Sequence, residues 1–185
     1  MRVVAGSAGG IPLIVPKSIT RPTMDKVRGA VFSSLGAAVP GSRVLDLFAG
    51  SGAYGIEALS RGATSATFVD NHRNAVEAIR SNLQKTRLVG RVQLGDAIGY
   101  LSRIPAAAFE LVFADPPYVK RDADTDFAAQ LLQCPSLRSA LAAEGTLVLE
   151  TAANQDIPDP DRLGWLLLRT RNYGDTAVHF LLPKP

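Results

Sequence analysis

The sequence predicts an α/β fold: a doubly wound, mostly parallel seven-stranded sheet, preceded by a β-hairpin and helix and closed by an antiparallel hairpin. Three observations predict it. Short apolar runs alternate with amphipathic stretches from Val44 to Leu149, a glycine-rich turn follows the first of those runs, and the last two runs are separated only by a turn. Alternation of this kind builds a parallel sheet covered on both faces, whereas two adjacent strands with no crossover between them must pair antiparallel.

Taken in order, Arg2–Ala5 and Ile11–Val15 read as short strands around the turn-forming Gly6-Ser7-Ala8-Gly9-Gly10. Thr23 is placed as the N-cap of a helix whose Val27, Ala30, Val31 and Leu35 line one face, with Gly36 as its stop. Strands follow at Val44–Phe48, Ala66–Val69, Val92–Leu94, Leu111–Ala114 and Thr146–Leu149. Helices are expected near Ala53–Arg61, Arg73–Thr86, Ala97–Arg103 and Asp126–Ala142, and Leu163–Arg171 with Thr176–Leu182 form the closing hairpin. The organisation is therefore an extension over 1–43 and a principal domain over 44–185.

At 185 residues, 46% hydrophobic and 20% charged, the chain is too apolar for a disordered protein. No apolar run approaches the roughly 18–20 residues needed to span a bilayer, and the first residues lack the pattern of a secretory signal. The single cysteine, Cys134, cannot form an internal disulfide, which fits a reducing compartment. The expected setting is the cytoplasm, with no membrane partner. Charge is uneven: residues 1–43 carry six basic residues against Asp25, a net +5, while the remainder holds 14 basic and 16 acidic residues. A basic leader on a near-neutral body suits contact with phosphate.

In parallel sheets the ligand crevice lies at the carboxyl ends of the strands. There the first strand runs into Asp46-Leu47-Phe48-Ala49-Gly50-Ser51-Gly52-Ala53-Tyr54-Gly55. Glycines 50 and 52 permit a sharp turn and close approach of a ligand to bare backbone, and the following helix points unpaired N–H groups at it. Gly50-x-Gly52-x-x-Gly55 also fits a dinucleotide fingerprint, with Asp70 where a ribose-binding acid belongs. Asp46 favours a different ligand. A carboxylate inside a buried strand repels a pyrophosphate but suits an ammonium and a sulfonium, the amino-acid end of S-adenosylmethionine. Phe48, Ala49, Gly50, Ser51 and Gly52 then form the cradle, Asp70 with Asn71 takes the ribose, and Asp96 with Ala97 meets the adenine edge.

The fourth strand runs into Asp115-Pro116-Pro117-Tyr118. Two prolines fix the backbone and leave carbonyls without neighbouring N–H donors, Asp115 adds an acceptor, and Tyr118 a flat face for stacking. That set suits a planar amine conjugated with an aromatic ring.

On these residues the chain resembles the class I S-adenosylmethionine-dependent methyltransferases, of Rossmann-like fold. More narrowly, it resembles the bacterial 16S ribosomal RNA guanine-N2 methyltransferase family of the D type. Val44–Leu59 and Arg61-Gly62-Ala63 resemble the family's cofactor loop and helix, and Asp115-Pro116-Pro117-Tyr118 its amino-methylating tetrapeptide. Arg21-Pro22-Thr23 with Val27-Arg28 resembles its leader motif, and Tyr173-Gly174-Asp175-Thr176 its closing hairpin. The chain departs from the pattern at the uncharged Gly6–Gly10 loop and at Gly29, where an acid commonly follows the leader arginine.

The resemblance implies methyl transfer to the exocyclic N2 amine of a flipped-out guanine in 16S rRNA, free or in a small-subunit assembly particle, by a monomer. Asp115, Pro116, Pro117 and Tyr118 are the expected catalytic set, with Asp115 also bordering the cofactor. Lys17, Arg21, Thr23, Lys26, Arg28, Lys120 and Arg121 are the expected RNA contacts, and no metal is expected. His72 and His179 are read as surface or core residues, Trp165 as packing and Cys134 as a small buried hydrophobe. The alternatives are an amine methyltransferase acting on another base or on DNA, a nicotinamide-dependent oxidoreductase, and a non-enzymatic RNA-binding assembly factor.

Overall fold

The computed structural model describes residues 1–16, 24–119, 121 and 123–184. The expectations placed on Lys17, Arg21, Thr23 and Lys120 lie outside the described residues. The fold is the mixed α/β one expected, with a seven-stranded, mostly parallel sheet whose last strands run antiparallel. The chain divides into two compact units, Met1–Ala97 and Ile98–Pro185.

The first unit contains α1 (Met24–Leu35), β1 (Arg43–Leu47), α2 (Ala53–Ser60), β2 (Ser65–Asp70), α3 (Arg73–Thr86) and β3 (Arg91–Leu94). β2 lies between β1 and β3, parallel to both. Val44 to Leu47 form an unbroken buried run, as a strand covered on both faces requires. In α1, Val27, Val31 and Leu35 are buried as the spacing predicts, and Phe32 and Arg28 join them. Gly36, at φ +49°, ends that helix, and a single 3-10 turn follows over Gly36–Ala38.

The N-terminal hairpin is shorter than expected, because Arg2 and Pro12 form a lone antiparallel bridge. The reason is competition for donors. Val4 and Ala5 N–H donate to the Glu57 carboxylate at 2.6 and 3.0 Å, and Ser7 and Ala8 N–H donate to Ser60 O and Oγ at 2.8 and 2.9 Å. The two arms of the leader still exchange backbone bonds, Val3 N–H to Ile11 O, Gly10 N–H to Val3 O and Leu13 N–H to Met1 O, while Val4, Ala5, Ser7 and Ala8 are zipped onto the end of α2. Gly6 permits this: at φ +83°, a Cβ there would sit 1.9 Å from the Ser60 carbonyl oxygen.

The second unit contains most of α4 (Ala97–Leu101), then β4 (Phe109–Ala114), α5 (Phe127–Gln133), α6 (Pro135–Ala140), β5 (Leu141–Ala152), β6 (Trp165–Tyr173) and β7 (Thr176–Pro183). β4 and β5 are parallel, and β7 pairs antiparallel with β5 and with β6. The single helix expected over Asp126–Ala142 is two. Pro135 holds Cys134 extended (φ −81°, ψ 107°), ending α5, and then opens α6 from its first position. Cys134, expected to be buried, is half-exposed at this break. β6 starts at Trp165 rather than Leu163, because Asp161–Leu163 form a 3-10 turn closed by Gly164 at φ +79°. Trp165 is fully buried with its Nε1–H on Leu132 O at 2.8 Å, a packing residue as read.

His179 on β7 is buried between two threonines, Nε2 at 3.0 Å from Thr151 Oγ1 and Nδ1 at 2.9 Å from Thr170 Oγ1. Thr151 Oγ1–H donates to Ala152 O at 3.1 Å, which assigns Nε2–H as donor to Thr151. Burial lowers its pKa from the usual 6.5. Below pH 6.5 the unfolded chain therefore takes up a proton that the folded ring refuses. This contribution to stability is complete above that pH and is lost as the pH falls, until the folded ring itself protonates. His179→Gln should flatten the stability–pH curve between about pH 7 and 5 in urea titrations. A variant with the wild-type slope would show that the acid sensitivity lies elsewhere.

Candidate active site

Three turns at the carboxyl ends of β1, β2 and β3 are stitched together through Asp70. Its Oδ2 accepts the Gly50 N–H at 2.8 Å, its Oδ1 the His72 N–H at 2.9 Å, and its carbonyl the Gly95 N–H at 3.0 Å. Ala49 N–H adds a bond to Val69 O at 3.1 Å. Asp70 and Asp46 are both buried, and Asp46 Oδ2 accepts the Gly55 N–H at 2.9 Å in the first turn of α2. Both acids therefore have backbone partners that a purely ligand-binding reading does not foresee. A buried carboxylate without such donors would be costly.

The turn itself is sharply bent, with Phe48 at φ +54°, Gly50 at +54° and Gly52 at +75°. A non-glycine residue at positive φ holds strain of about 1–3 kcal/mol, the kind concentrated at functional sites. The third glycine of the fingerprint acts differently: a Cβ at Gly55 would lie 2.3 Å from the Phe68 ring, so glycine is needed there for packing of α2 on β2. Ser51 and Ala49 are buried and Phe48 half-buried, whereas Asn71 and Asp96 are exposed and Ala97 is buried. The residues present fit the amino-acid and ribose portions of S-adenosylmethionine: a glycine turn leading into a helix start for its carboxylate, and two buried acids at adjacent strand ends.

Asn82 on α3 supports the same turn. Fully buried, it donates through Nδ2 to Ser51 O and to Ile14 O, both at 2.9 Å, and accepts the Ile14 N–H at 2.7 Å through Oδ1. Its place among the buried positions of α3 was legible as core, but nothing local marks it as a clamp.

The fourth turn belongs to the second unit. After β4 the chain passes through Asp115 (half-buried), Pro116 (buried), Pro117 (exposed) and Tyr118 (half-buried). Tyr118 OH lies 3.0 Å from Thr176 Oγ1, joining the tetrapeptide to the closing-hairpin motif. That motif makes a two-residue turn, Gly174 at φ +59° and Asp175, between the paired Tyr173 and Thr176.

Of the expected RNA contacts, Lys26 and Arg121 are exposed, and the Arg121 N–H donates to Asp124 Oδ2 at 3.1 Å. Arg28 is a correction, because only 2% of its surface is accessible. Its Nη2 donates to Arg2 O and to Asp25 Oδ1 at 2.9 Å, and its Nε lies 3.6 Å from Glu57 Oε2. Glu57, also fully buried, accepts Val4 and Ala5 N–H and pairs with Arg61 Nε at 2.7 Å. Arg28 thus ties the leader to α1 and α2 and is not presented to a phosphate.

Among the described residues no cluster of His, Cys, Asp or Glu is arranged to hold a metal, and no helix is long and apolar enough to cross a membrane.

A family model described as "Conserved hypothetical protein 95" matches residues 1–182. The chain belongs to this family. It is 36% identical over 184 residues to YlbH of Bacillus subtilis (strain 168), covering 96% of each chain. It is 32% identical over 179 residues to "Ribosomal RNA small subunit methyltransferase D" of Escherichia coli (strain K12), covering 96% of this chain and 87% of that one. Among solved structures, a protein of Thermus thermophilus superposes with a TM-score of 0.80 at 31% identity, covering 99% of both chains. The resemblance carried by the cofactor loop, the tetrapeptide and the two flanking motifs is borne out, and family membership brings the Rossmann-like methyltransferase fold with it.

The buried Arg28–Glu57 pair predicts a separation of effects. Arg28→Ala should destabilise the protein by about 3–5 kcal/mol in urea unfolding, because it leaves Glu57 buried beside one cation fewer. The salt dependence of RNA binding should stay as in wild type under conditions where the variant is folded. A flattened salt slope with unchanged stability would return Arg28 to the RNA surface.

Proposed function

We propose that this chain transfers a methyl group from S-adenosylmethionine to the exocyclic N2 amine of a guanine in 16S ribosomal RNA. The observation that carries the reading is the Asp115-Pro116-Pro117-Tyr118 turn at the end of β4, with Tyr118 held by Thr176. The name of the Escherichia coli relative supports the substrate class.

Asp46, the turn Phe48–Gly52, Asp70 with Asn71, and Asp96 with Ala97 would hold the cofactor. When bound, it supplies an electrophilic methyl group on a sulfonium that departs as a neutral thioether. The chain's own residues act on the amine. Its lone pair is conjugated with the guanine ring and is a poor nucleophile. N–H donation to the Asp115 carboxylate and the Pro116 carbonyl favours a pyramidal nitrogen with the lone pair released, and Asp115 can take the proton that the alkylated nitrogen sheds. Beyond this the reaction needs alignment, which can lower a barrier by about 7–11 kcal/mol at best. Tyr118 offers a stacking face for a base taken out of its helix, as chemistry on a base edge requires.

Lys17, Arg21, Thr23, Lys26, Lys120 and Arg121 are the proposed phosphate and sugar contacts of a monomer acting in the cytoplasm, on free RNA or on an assembling small subunit. The extension over 1–43 serves that contact, and 44–185 carries the chemistry.

Asp115→Asn should lower methyl transfer by about 10²–10³-fold, the loss typical of removing a group that acts on the transition state. Its affinity for S-adenosylmethionine, read by calorimetry, should stay within about twofold of wild type. Turnover at the wild-type rate, read by mass spectrometry of small-subunit RNA, would end the assignment. Methyl acceptance by naked RNA, small-subunit particles and DNA, compared side by side, tests the substrate class.

The Tyr118–Thr176 bond gives a second test. Thr176→Val should reduce transfer about tenfold and Thr176→Ser should restore it. The effects of Thr176→Val and Tyr118→Phe should be non-additive, as for partners in one hydrogen bond. Full additivity would show that the two hydroxyls act separately.

A further inference from the structure

The outward side of α3 carries a row of cations that the donor site does not use. Arg73, Arg80 and Arg87 recur at seven-residue steps, so they rise along one stripe of the helix and its cap, spanning about 21 Å. All three are exposed, as are Lys85 and Arg91 nearby. Residues 71–91 hold these five cations against Glu77 alone.

Two features argue against an ordinary solvated helix face. Arg73 is the first residue of α3, in a first turn that holds no acid. Positive charge there opposes the helix dipole, where an acid would be the stabilising choice. Arg87 sits beyond the last turn at φ +56°, ψ 30°, the left-handed position that glycine or asparagine fills at least cost. The C-terminal dipole favours a cation near Arg87 but cannot account for Arg73. Nor does Glu77 neutralise the row: no ion pair joins it to Arg73 or Arg80 at i+4 and i+3, and no ion pair is formed by the three arginines among the described residues. A file of like charges kept without counter-charge, with Arg73 set against the helix dipole and Arg87 at a backbone position better suited to glycine or asparagine, suits an external polyanion.

We propose that Arg73, Arg80 and Arg87 form a phosphate-contacting track for the RNA substrate, separate from the leader. The inference rests on the RNA-methylating reading, which makes RNA the polyanion of choice over an anionic membrane. Spaced point contacts along a straight helix position a backbone and carry no base information.

The test is the triple variant Arg73→Gln, Arg80→Gln, Arg87→Gln in the full chain, with an Arg80→Gln, Arg87→Gln double variant because Arg73 lies two residues from Asn71. Binding of small-subunit RNA is titrated over a range of salt, beside calorimetry with S-adenosylmethionine, methyl-transfer assays and thermal unfolding. The triple variant should bind RNA at least tenfold more weakly, with its log–log salt slope reduced by about 2. The double variant should show roughly two thirds of that reduction, with cofactor affinity and unfolding temperature unchanged. RNA binding with the wild-type slope in both variants would overturn the proposal. So would arginine-dependent sedimentation with phosphatidylserine vesicles by a wild-type protein that shows no RNA affinity. Wild-type RNA binding without methyl transfer would refute the methylation reading while still testing the track, because the binding slope is read independently of turnover.

Discussion

The glycine turn after β1 depends on two carboxylates buried at neighbouring strand ends and satisfied by the backbone of the turn they support. Asp46 takes the Gly55 N–H, and Asp70 takes the N–H groups of Gly50 and His72. Each bond removes part of the desolvation cost of a buried acid, and each fixes a segment of chain that would otherwise be a flexible glycine loop. The left-handed geometry of Phe48 persists because Val69 and Asp70 hold the residues just beyond it. The result is a turn held in one arrangement by the protein itself, the preorganisation that suits the cofactor role proposed for it.

The same device recurs where the leader meets α2. Glu57 has no accessible surface, yet it gathers two backbone N–H groups and two guanidinium groups around one carboxylate. Asn82 does by neutral hydrogen bonds what Glu57 does by charge, gripping Ile14 in both directions and the Ser51 carbonyl at once. The residues just before the basic leader segment and the glycine turn therefore share one support on α3. Any displacement of Ile14 is felt at Ser51 through a single amide group. The inward side of α3 organises the site, while its outward side is free to carry charge.

In the second unit, antiparallel pairing performs the equivalent task. β7 runs back along β5 and begins at Thr176, directly after the two-residue turn at Gly174 and Asp175. That start places the Thr176 hydroxyl against Tyr118, 58 residues earlier in the chain. A hydrogen bond at the far end of the Tyr118 ring limits how it swings, which suits the stacking role proposed for it.

Much of this was legible from the chain alone, for reasons that are local. Backbone periodicity and turn chemistry act over a few residues, so β1 to β4, α3 from Arg73 to Thr86, the glycine turn and the closing hairpin follow from neighbours in sequence, whereas β5, read over Thr146–Leu149, runs from Leu141 to Ala152. The break at Pro135 is just as local, because proline keeps the preceding Cys134 out of the helical region.

What tertiary structure alone decided is the partner of each buried polar group. Arg28 reads as a basic leader residue until Glu57, 29 residues away, is brought to its side. Val4 and Ala5 read as strand until the same carboxylate takes their N–H groups, and Thr176 reads as the first residue of the last strand until Tyr118 meets it. Patterning in sequence reports which side chains avoid water. Which charge neutralises which, and which donor finds which acceptor, is set by contacts between segments that only the folded chain brings within 3 Å or so of one another.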